Sequence, residues 1–184
     1  MGDVVYLRRD DADARKVLDA TIELLREVPY TTLTMRAIGS RAGISSGELR
    51  ALFRSKDAIV AEIYLERLRA IPLEIDVEHT VQERVCTQFE SLMMVLAGEP
   101  GLAAACSSAL VSDEPSVRSV QRRIHDELRR RVRSAMRSGA WPEVTETLEF
   151  GLIGSLVHAS CGDVTSRQTA DHLASVVSAL LPDD

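Results

Sequence analysis

Residues 34–56 gather the side chains that nucleic-acid chemistry uses. Arg36, Arg50 and Lys56 are cations suited to phosphate, and Arg36 could also reach a guanine edge. Ser45, Ser46 and Gly47 offer small hydroxyls and bare backbone. Glu48 has two readings, a helix cap or an acceptor from a cytosine amino group, and the cap is favoured. Groups of this kind read DNA only from a rigid mount, and the same residues supply one. Thr34 can accept a backbone N–H as the N-cap of a first short helix. Ala37, Ile38 and Ala42 fall on one face of it, and Gly43 ends it. Ile44 can plug the gap that follows. Ser45 opens a second helix, and Glu48, three residues on, completes a capping box. Leu49, Leu52 and Phe53 give this helix its apolar side. Helix, glycine turn, helix is the helix-turn-helix unit, whose second helix lies in the DNA major groove.

Other chemistry finds less support. His158 and Cys161 stand at i, i+3 and could share a metal with His172, but the spacing matches no recognisable zinc pattern. A buried thiol and a hydrogen-bonded histidine are the simpler roles, and no metal or cofactor is expected. There is no Gly-x-Ser-x-Gly elbow and no phosphate-binding glycine loop. Ser107, Ser108 and His125 lack any spacing that gathers them, so no enzyme is expected. The arginines between Arg118 and Arg137 invite a nucleic-acid reading. Yet Val117, Val120, Ile124, Leu128, Val132 and Ala135 form a clean apolar stripe among them. Asp126 and Glu127 precede Arg130 and Arg131 by four, the favourable order for helix ion pairs. This segment reads as a solvated face over a core helix.

The chain of 184 residues is 45% hydrophobic and can bury a core. Only 4% is aromatic, so that core must be aliphatic. The net charge of −6 argues against nonspecific coating of nucleic acid. The excess acid lies beyond Val60, which favours docking on DNA through the N-terminal end alone. Three widely spaced cysteines, Cys86, Cys106 and Cys161, suit reduced thiols in a cytoplasmic protein. No apolar run reaches the roughly 18 residues of a membrane span, and the first residues lack a signal-peptide core.

Periodicity predicts nine helices and no strand. Residues 1–11 lack it and read as an arm carrying Arg8 and Arg9. The first helix is expected from about Ala12 to Glu27, with Ala14, Val17, Leu18, Thr21, Leu24, Leu25 and Val28 as its stripe. After the two motif helices, Ser55 caps one that Pro72 stops. Others follow near Val81–Ala97, Leu102–Val111, Ser116–Ser138, Glu143–Cys161 and Ser166–Leu181. Two domains are expected, 1–55 for DNA and 56–184 for an effector and dimerisation.

Within residues 81–161, Cys86, Phe89, Met93, Met94, Cys106, Ile124, Leu128, Leu152 and His158 are the candidates for an effector pocket. Most would serve equally as plain core. Methionine linings adapt to varied apolar shapes. The shortage of aromatics favours an aliphatic ligand, such as an acyl chain or a terpenoid. The helix near 143–161 is apolar on two sides, and Gly151 and Gly154 each cost it about 1 kcal/mol relative to Ala. A second apolar side calls for a partner subunit. Leu148, Gly151, Gly154, Ser155, Val176, Val177 and Leu180 are the candidate interface.

Residues 14–64 resemble the N-terminal domain of the TetR family of transcriptional regulators. The likeness rests on the amphipathic first helix, Thr34-Met-Arg-Ala-Ile, Ala42-Gly-Ile-Ser-Ser-Gly, Leu49, Phe53 and Ser55-Lys-Asp. It implies a homodimer joined through the last two long helices, which represses transcription from a palindromic operator and is released by a small ligand. Two positions depart from the family pattern. Arg50 replaces a usual Tyr and can bind phosphate in its place. Leu52 replaces a usual His or Tyr and cannot donate a hydrogen bond. Pro29 also stands near where a glycine usually ends the first helix. A regulator that senses no ligand, or needs one as corepressor, is the alternative. A small enzyme on a helical bundle is the other.

Overall fold

The computed structural model describes residues 3–73, 78–137, 142–160 and 165–181. Among them the chain is all α-helical: α1 Asp3–Glu27, α2 Met35–Ala42, α3 Ser46–Leu52, α4 Lys56–Ala70, α5 Val81–Met94, α6 Pro100–Leu110, α7 Arg118–Met136, α8 Pro142–Ser160 and α9 Ser166–Leu180. A single 3-10 turn, Tyr30–Thr32, joins α1 to α2. The sequence placed an arm over residues 1–11, but α1 already begins at Asp3. Nothing between Val4 and Asp13 breaks a helix, and extending one costs far less than starting one. The extension is absent from the apolar pattern because Val4 to Leu7 are consecutive apolar residues and Arg8 to Asp11 consecutive charged ones, which gives no helical period. The side chains of Arg8 and Arg9, like Cys161, lie outside the described residues. Pro100 at the first turn starts α6 two residues earlier than expected, its fixed φ suiting that position.

Two compact units form. One comprises Met1–Tyr64 and Glu99–Gln121, the other Leu65–Gly98 and Arg122–Asp184. Thus α6 folds with the helix-turn-helix segment, although the sequence division at residue 56 grouped it with the effector helices. In the first unit α1 packs on α2 and α6 through Val17, Leu18, Leu24 and Leu25, all buried. The Thr21 hydroxyl, also buried, donates to the Val17 carbonyl at 2.8 Å. Gly101 lets α6 meet α1 backbone to backbone, since a Cβ there would overlap the Leu25 carbonyl oxygen. Gly101→Ala is therefore expected to destabilise this unit by about 1–3 kcal/mol, the usual cost of forcing atoms into a packed site. A urea titration followed by circular dichroism checks this, and an unchanged midpoint would refute the close approach.

In the second unit α9 packs on α5 and α8. Val85, Phe89, Leu92, Ile124, Leu128, Val132, Leu152 and Leu173 are buried there. The Arg-rich α7 differs from its expected form at one position. Arg131 is 1% exposed and lies inside. It follows Leu128 by three residues, on the apolar side of the helix. Its guanidinium donates to Glu127 at 2.7 Å, to the Ile71 carbonyl at 2.8 Å and to Gln88 at 3.5 Å. Burial pushes the Glu127 carboxyl up, but the hydrogen bonds and charges of Arg130 and Arg131 outweigh it, and its pKa lies below the ordinary value. Arg130 binds Glu127 at 2.7 Å, and Arg129 binds Glu149 at 3.0 Å. Arg118, Arg122, Arg123, Arg133 and Arg137 are exposed, as a solvated face requires.

Candidate nucleic-acid interface

The helix-turn-helix forms from local signals. The Thr34 hydroxyl accepts the Ala37 N–H at 3.2 Å and caps α2. Gly43 closes α2 with φ 67°, a conformation that favours glycine, and the Ile44 N–H reaches the Gly39 carbonyl at 3.0 Å. Ser45 and Glu48 exchange both bonds of the capping box, at 3.3 Å and 3.1 Å. Glu48 thus takes the cap role. Ile38 and Leu49 are buried and hold α3 on α2. A Cβ on Gly39 would stand 3.1 Å from the Ile44 carbonyl oxygen, so the turn is as tight as its atoms allow.

Ser45, Ser46, Gly47, Glu48 and Arg50 are all exposed, on one short stretch. Gly47 has no internal reason to be glycine among the described residues: a Cβ there would meet none of them within 4 Å. A glycine in a helix interior costs about 1 kcal/mol relative to Ala, and Gly47, in the first turn of α3, carries part of that cost. The cost is understandable if something outside the chain approaches this backbone closely. Arg36, Arg50 and Arg54 are exposed and make no intramolecular hydrogen bond or ion pair among the described residues. Arg54 was not among the expected contacts. Its place between Phe53 and Ser55 was visible, but its freedom depends on tertiary neighbours. Arg41 is different, binding Glu27 at 2.7 Å and Glu23 at 3.3 Å to brace α2 on α1. The hydrogen bond and charge of Arg41 hold the Glu27 carboxyl below its ordinary range.

Lys56 needs correction as a phosphate clamp. Its ammonium donates to the Tyr30 and Leu33 carbonyls, at 2.8 Å and 3.0 Å, and lies 4.4 Å from the centre of the Tyr30 ring. It is turned inward and fastens the segment between α1 and α2. Beside it Asp57 accepts the Tyr30 hydroxyl, and burial together with that carboxylate pushes the tyrosine pKa upward.

The effector candidates separate. Phe89, Met93, Ile124, Leu128 and Leu152 are buried in the second unit. Cys86 is half-buried, and burial pushes its thiol up. Met94 and His158 are exposed. Met94 follows the buried Met93 and so points elsewhere around the helix, while His158 shares the outer face of α8 with Phe150 and Gly154. Cys106 belongs to the first unit, where its thiol points to the Val60 carbonyl at 3.9 Å.

The interface candidates separate too. Leu148 and Val177 are buried in the chain's own core, so neither can face a partner. A Cβ on Gly151 would make ordinary contact with Leu173, 3.8 Å away, and Ser155 is half-buried. Gly154 is exposed with nothing within 4 Å of its Cβ position. Val176 and Leu180 are exposed, and so is Phe150, at 68%.

The family model for bacterial regulatory proteins of the tetR family matches residues 17–63. An uncharacterised HTH-type transcriptional regulator of Mycobacterium tuberculosis is 39% identical over 176 residues, 95% of this chain and 83% of that protein. The fold is similar to a TetR transcriptional regulator from Rhodococcus sp. RHA1, with a TM-score of 0.78 at 18% identity over 94% of this chain and 97% of that one. It is also similar to the regulator FadR from Bacillus subtilis in complex with stearoyl-CoA, with a TM-score of 0.64 at 14% identity over 91% of this chain and 99% of that one. No described helix is long and apolar enough to cross a membrane.

Proposed function

Because the chain belongs to the TetR family and is a DNA-binding transcriptional regulator, we propose that it acts in the cytoplasm as a homodimeric repressor, bound to a palindromic operator and released by a small apolar ligand. The observation that carries the DNA reading is the exposed start of α3. There Gly47 leaves the backbone bare without internal cause, and the unpaired Arg36, Arg50 and Arg54 flank it. Residues 1–55 read the DNA. Ser45, Ser46 and Gly47 approach the groove, while Thr34, Arg50 and Arg54 hold phosphates. Residues 56–184 bind the effector and dimerise. Gly154 repeats the argument of Gly47, an exposed helix glycine with nothing among the described residues within 4 Å of its Cβ position, and the exposed Phe150, Val176 and Leu180 supply apolar surface for a second copy.

The buried Phe89, Met93, Ile124, Leu128 and Leu152 would line the effector site. An acyl chain suits them, and the stearoyl-CoA held by the FadR neighbour supports that class. A ligand shifts the DNA-competent state only through its different affinity for the two states, and DNA must weaken the ligand by the same factor.

Binding of a duplex selected from random DNA tests the reading. Arg50→Ala should weaken all sequences alike and lower the salt slope by about 0.9, the share of one phosphate contact. A changed base preference with an unchanged slope would assign Arg50 to base reading instead. Saturating stearoyl-CoA should lower the affinity of wild-type protein for that duplex. If bound stearoyl-CoA leaves affinity unchanged, release by an acyl ligand fails and regulation without such a ligand is the better reading.

A further inference from the structure

The first turn of α4 grips two segments that lie far apart in the sequence. On one side, Asp57 accepts the Tyr30 hydroxyl, and Lys56 donates to the Tyr30 and Leu33 carbonyls. Those residues lead directly into Thr34 and α2. On the other side, the second oxygen of Asp57 accepts the Ser112 hydroxyl at 2.7 Å. Ser55, which caps α4 through the Ala58 N–H, also lies 2.8 Å from the Ser116 hydroxyl. The Gln121 amide donates to the carbonyls of Ala109, Leu110 and Ser112 at 3.0, 3.2 and 2.8 Å. It fastens the turn between α6 and α7 to the start of α7. Every one of these groups belongs to the first compact unit.

We propose that Asp57 is a positioning residue for DNA binding, tying the α6–α7 turn to the segment that enters α2, so that the turn helps set the recognition helices. The proposal rests on the DNA-binding reading above. Its physical basis is the use of both carboxylate oxygens. Each takes a hydroxyl from a different segment, and bonds to an ionised acceptor are stronger than neutral ones. Tyr30, Asp57 and Ser112 are each half-buried, so water competes less for the bonds. Leu33, at 2% exposure, is locked in the core and its carbonyl is held by Lys56, which leaves little slack between Tyr30 and the cap of α2. Loss of the Ser112 bond therefore loosens Asp57, and through Tyr30 the start of α2.

A double-mutant cycle on the full chain tests the tie. Ser112→Ala removes the turn-side donor without touching a DNA-facing residue, and Tyr30→Phe removes the other. The probe is a duplex selected from a random pool by the wild-type protein. Each single variant should bind it about three- to tenfold more weakly, with nonspecific binding to an unselected duplex unchanged. The double variant should be no weaker than the weaker single variant. Ser112→Thr, which keeps the hydroxyl, should restore affinity. Amide exchange over residues 33–38, measured without DNA, should quicken in both single variants. A merely structural role would instead weaken selected and unselected duplexes together and lower the denaturation midpoint. The proposal is overturned if Ser112→Ala binds the selected duplex as the wild type does, or if the two effects multiply in full. A wild-type protein that selects no duplex would sink this proposal and the DNA reading together, whereas failure of the tie alone appears only in the variants.

Discussion

Arg131→Met is expected to destabilise the protein by about 3 kcal/mol, the lower end of the range for removing one partner of a buried ion pair. The lower end applies because Glu127 keeps Arg130, at 2.7 Å. The variant also takes the donor from the Ile71 carbonyl and from Gln88, both of which then lack a bond they had. Glu127→Leu in the same chain should recover most of the loss, since an apolar pair leaves no buried charge behind. Acid should reveal the same pair. The folded pKa of Glu127 is depressed, so its stabilisation is present above the unfolded value near 4.5 and is lost as pH falls through the lower folded value. In Arg131→Met the depression is smaller, so stability should fall less steeply below pH 4.5. Urea titrations at several pH values measure both effects. A loss below about 1 kcal/mol at neutral pH, within the range of an exposed pair, would show that Arg131 is not held as described.

Gly154→Leu is expected to act in opposite directions on the single chain and on the pair. Among the described residues nothing lies within 4 Å of the new Cβ, and leucine favours a helix more than glycine does. Folding should therefore be unharmed or slightly improved. Between two chains, a leucine would hold the α8 helices apart where glycine lets them close. The dimer dissociation constant should rise by roughly a hundredfold, the equivalent of about 2.7 kcal/mol. Operator affinity should fall with it, because two linked recognition helices bind as a unit and separated ones do not. Sedimentation of the variant as an intact dimer at low micromolar concentration would remove α8 from the interface. Loss of helical signal would show instead that the chain itself needs the glycine.

What the sequence made legible was what a few neighbouring residues decide. The cap at Thr34, the box at Ser45 and Glu48 and the turn at Gly43 involve atoms within three to five positions of one another, so spacing alone revealed them. The inward turn of Lys56 depends on carbonyls more than twenty residues earlier, at Tyr30 and Leu33, and no local pattern records that. Arg131 hid in a run of arginines that looked uniformly solvated; only the phase of Leu128 and Val132 hinted at its side of the helix. The two apolar sides of α8 were readable, but not which side its own chain would cover. Leu148 therefore looked like interface and is core, as is Val177 on α9, while Phe150 remained outside. Arg54 lay in plain sight within the motif, yet only the fold reveals that none of the described residues occupies it.

The inward position of Lys56 also decides which reagents can blind the protein. The sequence contains two lysines, Lys16 and Lys56, and Lys16 is paired with Asp13 at 2.7 Å. The unpaired cations of the motif, Arg36, Arg50 and Arg54, all carry guanidinium groups. Acylating agents that neutralise amines leave a guanidinium untouched. The charge presented to DNA should therefore be insensitive to amine acetylation. An arginine-directed dicarbonyl would strip it.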